Sequence, residues 1–190
     1  LDFSPDSHRF AAGMLSAREG QLSCSVYFMS MDTDAEGPVY TADQGSMLLR
    51  LDWQSERRVM AVFDTYLAVL DPTTGTETAR YDYGGAALQS VAPGRRQTAL
   101  LLTVRGGNNL VTLSETLTPM AEIPARQAFG VSATDTDIYL LCPDAVECYG
   151  YDGVQNWVYS DLASRPLAVV NAAKPLLLTG SRAEVLEGGS

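Results

Sequence analysis

The chain has 190 residues, 46% hydrophobic and 19% charged, which suits a folded globular chain and excludes a disordered one. Its 13 basic and 23 acidic residues give a net charge of −10, and Lys174 is the single lysine. This argues against nucleic acid and anionic membrane surfaces as partners, since both need clustered Lys and Arg. No run reaches the roughly 20 apolar residues of a bilayer span, so no direct membrane insertion by this segment is expected.

In chain order, Leu1-Asp2-Phe3 reads as the end of a first strand, and Ser4-Pro5-Asp6-Ser7 as a turn. A second strand is predicted over 9–15 and a third over 25–31. Residues 16–22 between them read as a long surface loop, an insertion with a modest functional claim because loops carry function. Four later segments then share one form: a strand, a polar turn and a more apolar strand. They begin at Leu49, Leu88, Phe129 and Leu167, and their second strands are Val59-Met60-Ala61-Val62-Phe63, Thr98-Ala99-Leu100-Leu101-Leu102, Ile138-Tyr139-Leu140-Leu141 and Leu176-Leu177-Leu178. Their turns are 54–57, 93–97, 134–137 and 172–174. Leu51, Val91, Val131 and Val170 recur at intervals of 40, 40 and 39.

Third strands follow at 66–70, 109–113 and 146–151, and fourth strands at 78–83 and 156–159. The turns carry Gly, Asn, Asp and Pro, the residues that hairpins demand. Apolar runs are only four to six residues long and never sustain a 3.6-residue period, which excludes helices. Strands apolar at consecutive positions must be covered on both faces. Four strands in roughly 40 residues, repeated and stacked face to face, make an all-β β-propeller of four-stranded antiparallel blades.

The expected blades are 1–45, 46–85, 86–126, 127–164 and 165–190, the last lacking its outer strand, in a single propeller fragment over 1–190. About four to five blades make an incomplete ring, read as the C-terminal part of roughly seven or eight blades. Apolar faces would then stand open at both ends, to be covered by a second copy or by missing blades.

Phe3-Ser4-Pro5-Asp6-Ser7-His8-Arg9-Phe10 resembles the blade opening of WD-repeat-like propellers, with Ser7 where Gly is usual. Residues 67–75 and 148–157 resemble the quinoprotein-like blade, with Trp157 as its fourth-strand Trp; the matching place near Ala79 or Arg80 lacks one. The whole is similar to uncharacterised membrane-anchored propellers of Gram-positive anaerobes. That resemblance implies an address on the extracellular face of the cell membrane, with the anchor outside this segment; a cytoplasmic address is the alternative.

The residues assign no catalytic, cofactor-binding or metal site. His8, the sole histidine, reads as a solvated turn residue, and no nucleophile elbow accompanies it. Asp32-Thr33-Asp34-Ala35-Glu36-Gly37 matches only the start of a calcium loop, with Asp43 at position 12. Thr134-Asp135-Thr136-Asp137, Gly84-Gly85 and Gly106-Gly107 read as turns. Tyr81, Tyr83, Trp157 and Tyr159 are expected on outer strands, packing between blades or forming a binding surface. Cys24, Cys142 and Cys148 read as free thiols, or as one Cys142–Cys148 bond in an oxidising compartment. The expected function is a non-enzymatic extracellular scaffold binding a protein or glycan and associating with itself. The alternative is the C-terminal part of a hydrolase or quinoprotein-type oxidoreductase whose site lies in missing blades.

Overall fold

The computed structural model describes residues 1–18, 20–33, 36–94, 96–160, 162, 164–170 and 174–186. Glu19, Asp34, Ala35, Arg95, residues 171–173 and the expected tail at 187–190 lie outside them.

Five antiparallel sheets follow one another along the chain. The first holds β1 (Asp2–Phe3), β2 (Arg9–Arg18), β3 (Gln21–Ser30) and β4 (Val39–Thr41). The second holds β5 (Leu48–Ser55), β6 (Arg58–Phe63), β7 (Tyr66–Asp71) and β8 (Thr76–Asp82). The third holds β9 (Ala87–Pro93), β10 (Thr98–Val104), β11 (Gly107–Leu113) and β12 (Pro119–Pro124). The fourth holds β13 (Gly130–Ala133), β14 (Asp137–Leu141), β15 (Val146–Gly150) and β16 (Gln155–Tyr159). The fifth holds β17 (Pro166–Val170), β18 (Leu176–Thr179) and β19 (Ala183–Val185), three strands among the described residues. Every sheet pairs its strands in sequence order, so each is an antiparallel meander.

The chain forms two compact units, Leu1–Gly85 and Ala86–Ser190. In the first unit, Ala11, Val26 and Phe28 of the first sheet pack on Val59, Ala61 and Phe63 of the second. In the second, Ala99, Leu101 and Leu110 pack on Ile138, Leu140 and Tyr149, and the fourth sheet's opposite face meets the fifth through Tyr139, Leu141, Cys148, Val169 and Leu177. Successive side chains on a strand point to opposite faces, so β14 serves both neighbours with alternate residues.

First strands also bond across sheets. The Val131 N–H donates to Ser90 Oγ at 3.2 Å, the Val169 N–H to Ser132 Oγ at 3.2 Å, and the Trp53 N–H to Asp2 Oδ2 at 2.6 Å. Each uses a side-chain oxygen to satisfy a backbone donor that its own ladder leaves free.

Two expectations are corrected. Residues 16–18 and 21–22 are strand, not loop: β2 and β3 run on in register to Arg18↔Gln21, forming a hairpin of two ten-residue strands. In the fifth sheet Val169, not Val170, is the buried counterpart of Val131. A register shift between Pro166 and Ala168 turns Val170 to the opposite face, where it is exposed.

The turns between third and fourth strands use a left-handed residue at Gly75 (φ 71°), Leu117 (φ 58°) and Gly153 (φ 84°). Ser7, in the first turn, has φ 62°. Glycine is usual at its place because that conformation crowds a Cβ.

Candidate functional site

In the second unit, three turns enclose a groove of about 580 Å³ lined by Gly94, Arg96, Gln97, Thr134, Asp135 and Tyr151. Gly94 and Gln97 close the β9–β10 turn, with the Gly94 N–H donating to the Gln97 carbonyl at 2.9 Å. A Cβ on Gly94 would lie 2.5 Å from that carbonyl oxygen, so the turn requires glycine. In the β13–β14 turn, Thr134 Oγ1 accepts the N–H groups of Thr136 and Asp137 at 3.3 and 3.0 Å. That arrangement holds Asp135 out at the tip.

Tyr151 forms the floor. Its hydroxyl donates to the Thr134 carbonyl at 3.0 Å, and its own carbonyl accepts the buried Thr112 hydroxyl at 2.8 Å. Thr112 Oγ1 in turn accepts the Ala121 N–H at 2.9 Å. Burial, reinforced by Asp135 and Asp137, pushes the Tyr151 phenol up to about 12, so it stays a neutral donor at physiological pH. Arg96 and Asp135 are both exposed, and neither makes an ion pair or hydrogen bond to another described residue. The groove therefore offers a cation and an anion that pair with no other described residue, an amide at Gln97 and an aromatic floor held by hydrogen bonds at its hydroxyl and its carbonyl.

The residues singled out from sequence lie elsewhere and do not converge. His8 Nδ1 is 3.1 Å from Asp32 Oδ2, with both side chains about two-thirds exposed. The Ser4 hydroxyl donates to Asp6 at 2.5 Å and accepts the Arg9 N–H at 2.9 Å, so it is not aimed at His8. That geometry lacks the nucleophile–base contact of a triad. Asp32 turns to His8 while Asp43 is bound to Arg80, so the two ends of the calcium-like stretch part company. Among the described residues no three His, Cys, Asp or Glu side chains cluster to hold a metal ion.

All three cysteines are free and buried. Cys142 packs toward the third sheet and Cys148 toward the fifth, on opposite faces of the fourth. Burial, aided by neighbouring carboxylates, pushes their thiols up to about 11 and about 12, which suits packing and not nucleophilic work.

Tyr83 is buried, its hydroxyl on the Phe63 carbonyl at 3.2 Å, and Trp157 packs 6.0 Å from Tyr139. Gly84, Gly85 and Gly106 have positive φ in turns, while Gly107, also at positive φ, opens β11. Gly94 to Gln97 and Thr134 to Asp137 were legible as turns. Their joining with Tyr151 into a groove had no sequence signal, since it depends on how two sheets pack.

No protein-family model matches this chain, and no curated protein matches it in sequence. Solved structures do match. The chain superposes on the C-terminal WD40 domain of Sif2 with a TM-score of 0.67 at 9% identity, over 88% of this chain and 54% of that one. It is similar to the Neurospora crassa Pan2 WD40 domain (TM-score 0.58, 11% identity, 86% of this chain and 57% of that one). These sheets are β-propeller blades. A computationally designed protein, Ika8, is similar as well (TM-score 0.65, 11% identity, 87% and 54%). The chain thus spans about half the length of these structures, and the likeness is one of fold. The first-strand bonds at Ser90, Ser132 and Asp2 are accordingly links between adjacent blades, and the groove lies between the turns of blades three and four.

Proposed function

We propose that this propeller segment is a non-enzymatic interaction scaffold that holds an extended peptide in the groove between blades three and four. The observation that carries the reading is that Arg96 and Asp135 line the groove beside a hydrogen-bonded Tyr151 and pair with no other described residue. Opposite charges without a partner among the described residues select a segment carrying both signs, and an aromatic floor tied by its own hydrogen bonds limits the ordering cost of binding. A volume of about 580 Å³ lies within the range of small-ligand and peptide sites. The propeller fold is compatible with such use, although it hosts many functions. Self-association is part of the same reading, supported by apolar blade faces left uncovered. An address on the extracellular face of the cell membrane is supported by the resemblance to membrane-anchored propellers.

The test is selection from a random hexapeptide phage library against the wild-type chain. Selected peptides should carry acidic and basic side chains, and should lose at least tenfold in affinity against an Arg96→Ala, Asp135→Ala double variant. Peptides that bind both proteins equally, or an empty selection, would overturn the reading.

A further inference from the structure

Blade one is packed on one face and open on the other. Its packed face is the set Ala11, Val26 and Phe28 against blade two. The opposite face carries Phe3, Phe10, Ala12, Tyr27, Met29 and Val39, aligned by the cross-strand pairs Phe3↔Phe10, Phe10↔Met29, Ala12↔Tyr27 and Tyr27↔Val39. The Phe3 and Phe10 rings lie 6.1 Å apart. None of these six residues is charged, yet Phe3 is 48%, Met29 41% and Val39 43% exposed. Soluble chains rarely leave so continuous an apolar sheet face uncovered.

Blade five has a matching open face. Val169 and Leu177 are turned to blade four, and alternation turns Ala168, Val170, Leu176, Leu178 and Val185 the other way. Val170 is 42% and Val185 48% exposed.

The two faces occupy complementary places in a repeated joint. At each joint within a unit, one face of a blade meets the opposite face of the next. Blade three offers Ala99 and Leu101 forward, and blade four receives them on Ile138 and Leu140. Blade four then offers Tyr139 and Leu141 forward, and blade five receives them on Leu177. The open face of blade five is a forward face, and that of blade one is a receiving face. We propose that blade five of one copy docks on blade one of a second copy, continuing the blade-to-blade interface head to tail. This rests on the self-association reading and adds the surfaces and their asymmetry. A head-to-tail contact differs from a two-fold one in that different patches meet, so each can be disabled separately.

The experiment is light scattering over a concentration series, on the wild type, on Met29→Asp, on Val170→Asp, and on an equimolar mixture of the two variants. Both substitutions are at exposed positions, and unchanged far-ultraviolet circular dichroism and melting confirm that each variant folds. The wild type should exceed its 20.4 kDa chain mass. Each variant alone should fall at least tenfold in association constant. The mixture should recover a species of twice the chain mass, because one intact receiving face remains for one intact forward face. A wild-type monomer at every concentration would overturn self-association itself. An associating wild type with unaffected variants, or a mixture that fails to recover, would overturn these surfaces while leaving self-association in place.

Discussion

The Arg80 guanidinium lies 3.6 Å over the ring of Tyr66, and its nitrogens also reach Asp43, Glu77 and Asp82. The Tyr66 hydroxyl sits 3.1 Å from that of Tyr40, which donates to Glu77 at 2.7 Å. Arg80, on blade two's outer strand, thus reaches blade one through Asp43, while Tyr66, Glu77 and Asp82 hold it from within blade two. Replacing Arg80 with Ala should cost about 2 kcal/mol of stability, from lost stacking and from carboxylates left facing one another. Arg80→Lys should cost about 1 kcal/mol, because an ammonium cannot lie flat on a ring and fork to several oxygens. Chemical denaturation of the two variants checks both values and their order.

Thr112 is fully buried and holds the carbonyl of Tyr151 and the N–H of Ala121. Thr112→Val keeps the shape and orphans both backbone groups, at a cost of about 2–3 kcal/mol. Thr112→Ser keeps the hydroxyl and should stay within about 1 kcal/mol of wild type, the lost methyl accounting for the difference. Thermal melts of the pair separate the hydrogen bond from the packing.

Leu117 combines a left-handed backbone with a side chain only 2% exposed. Truncation to Ala removes the buried side chain and leaves the backbone strain, while Gly removes both. Leu117→Gly should therefore be the more stable variant by about 1 kcal/mol, the reverse of the usual order for Ala and Gly. At solvent-exposed Ser7, with φ 62°, Ser7→Gly should gain about 0.5 kcal/mol once the greater freedom of the unfolded chain is deducted. Equilibrium unfolding of the three variants tests the order.

Cys142 and Cys148 are raised by burial from 9.0 to about 11 and about 12, and Tyr139, Tyr149 and Tyr151 from 10.0 to about 12. All five are neutral when protonated, so above pH 9 the unfolded chain loses protons that the folded chain keeps. Their stabilisation is full below pH 9 and is lost as pH rises toward 12. Denaturant midpoints should be flat from pH 7 to 8 and fall steadily from pH 9 to 11. At pH 8 a thiol at about 11 is ionised only on the order of one part in a thousand, so alkylation of Cys142 and Cys148 should be slow until denaturant is added.

Much of the architecture was legible because its signals are local. The turn residues at Gly75, Gly106 and Gly153 and the doubly apolar strands at 59–63 and 99–102 mark hairpins and covered sheets without any long-range information. Little of the groove was legible. Arg96 and Asp135 lie 39 residues apart in chain order, each an ordinary turn residue. The extended hairpin of blade one is not legible either, since Ser16 and Arg18 have loop composition and become strand only through pairing with Ser23 and Gln21 on the opposite arm.

Sequence alone determined that this chain repeats a four-stranded unit of roughly 40 residues, because strand alternation and turn chemistry act over a few residues. Tertiary structure alone decided which face each strand shows. The irregularity between Pro166 and Ala168 sends Val169 inward and Val170 out, a choice made by packing against blade four. A separate interface, blade three on blade four, joins Tyr151, Arg96 and Asp135 in one groove. Local preference leaves such choices nearly degenerate, and burial of apolar surface between blades resolves them.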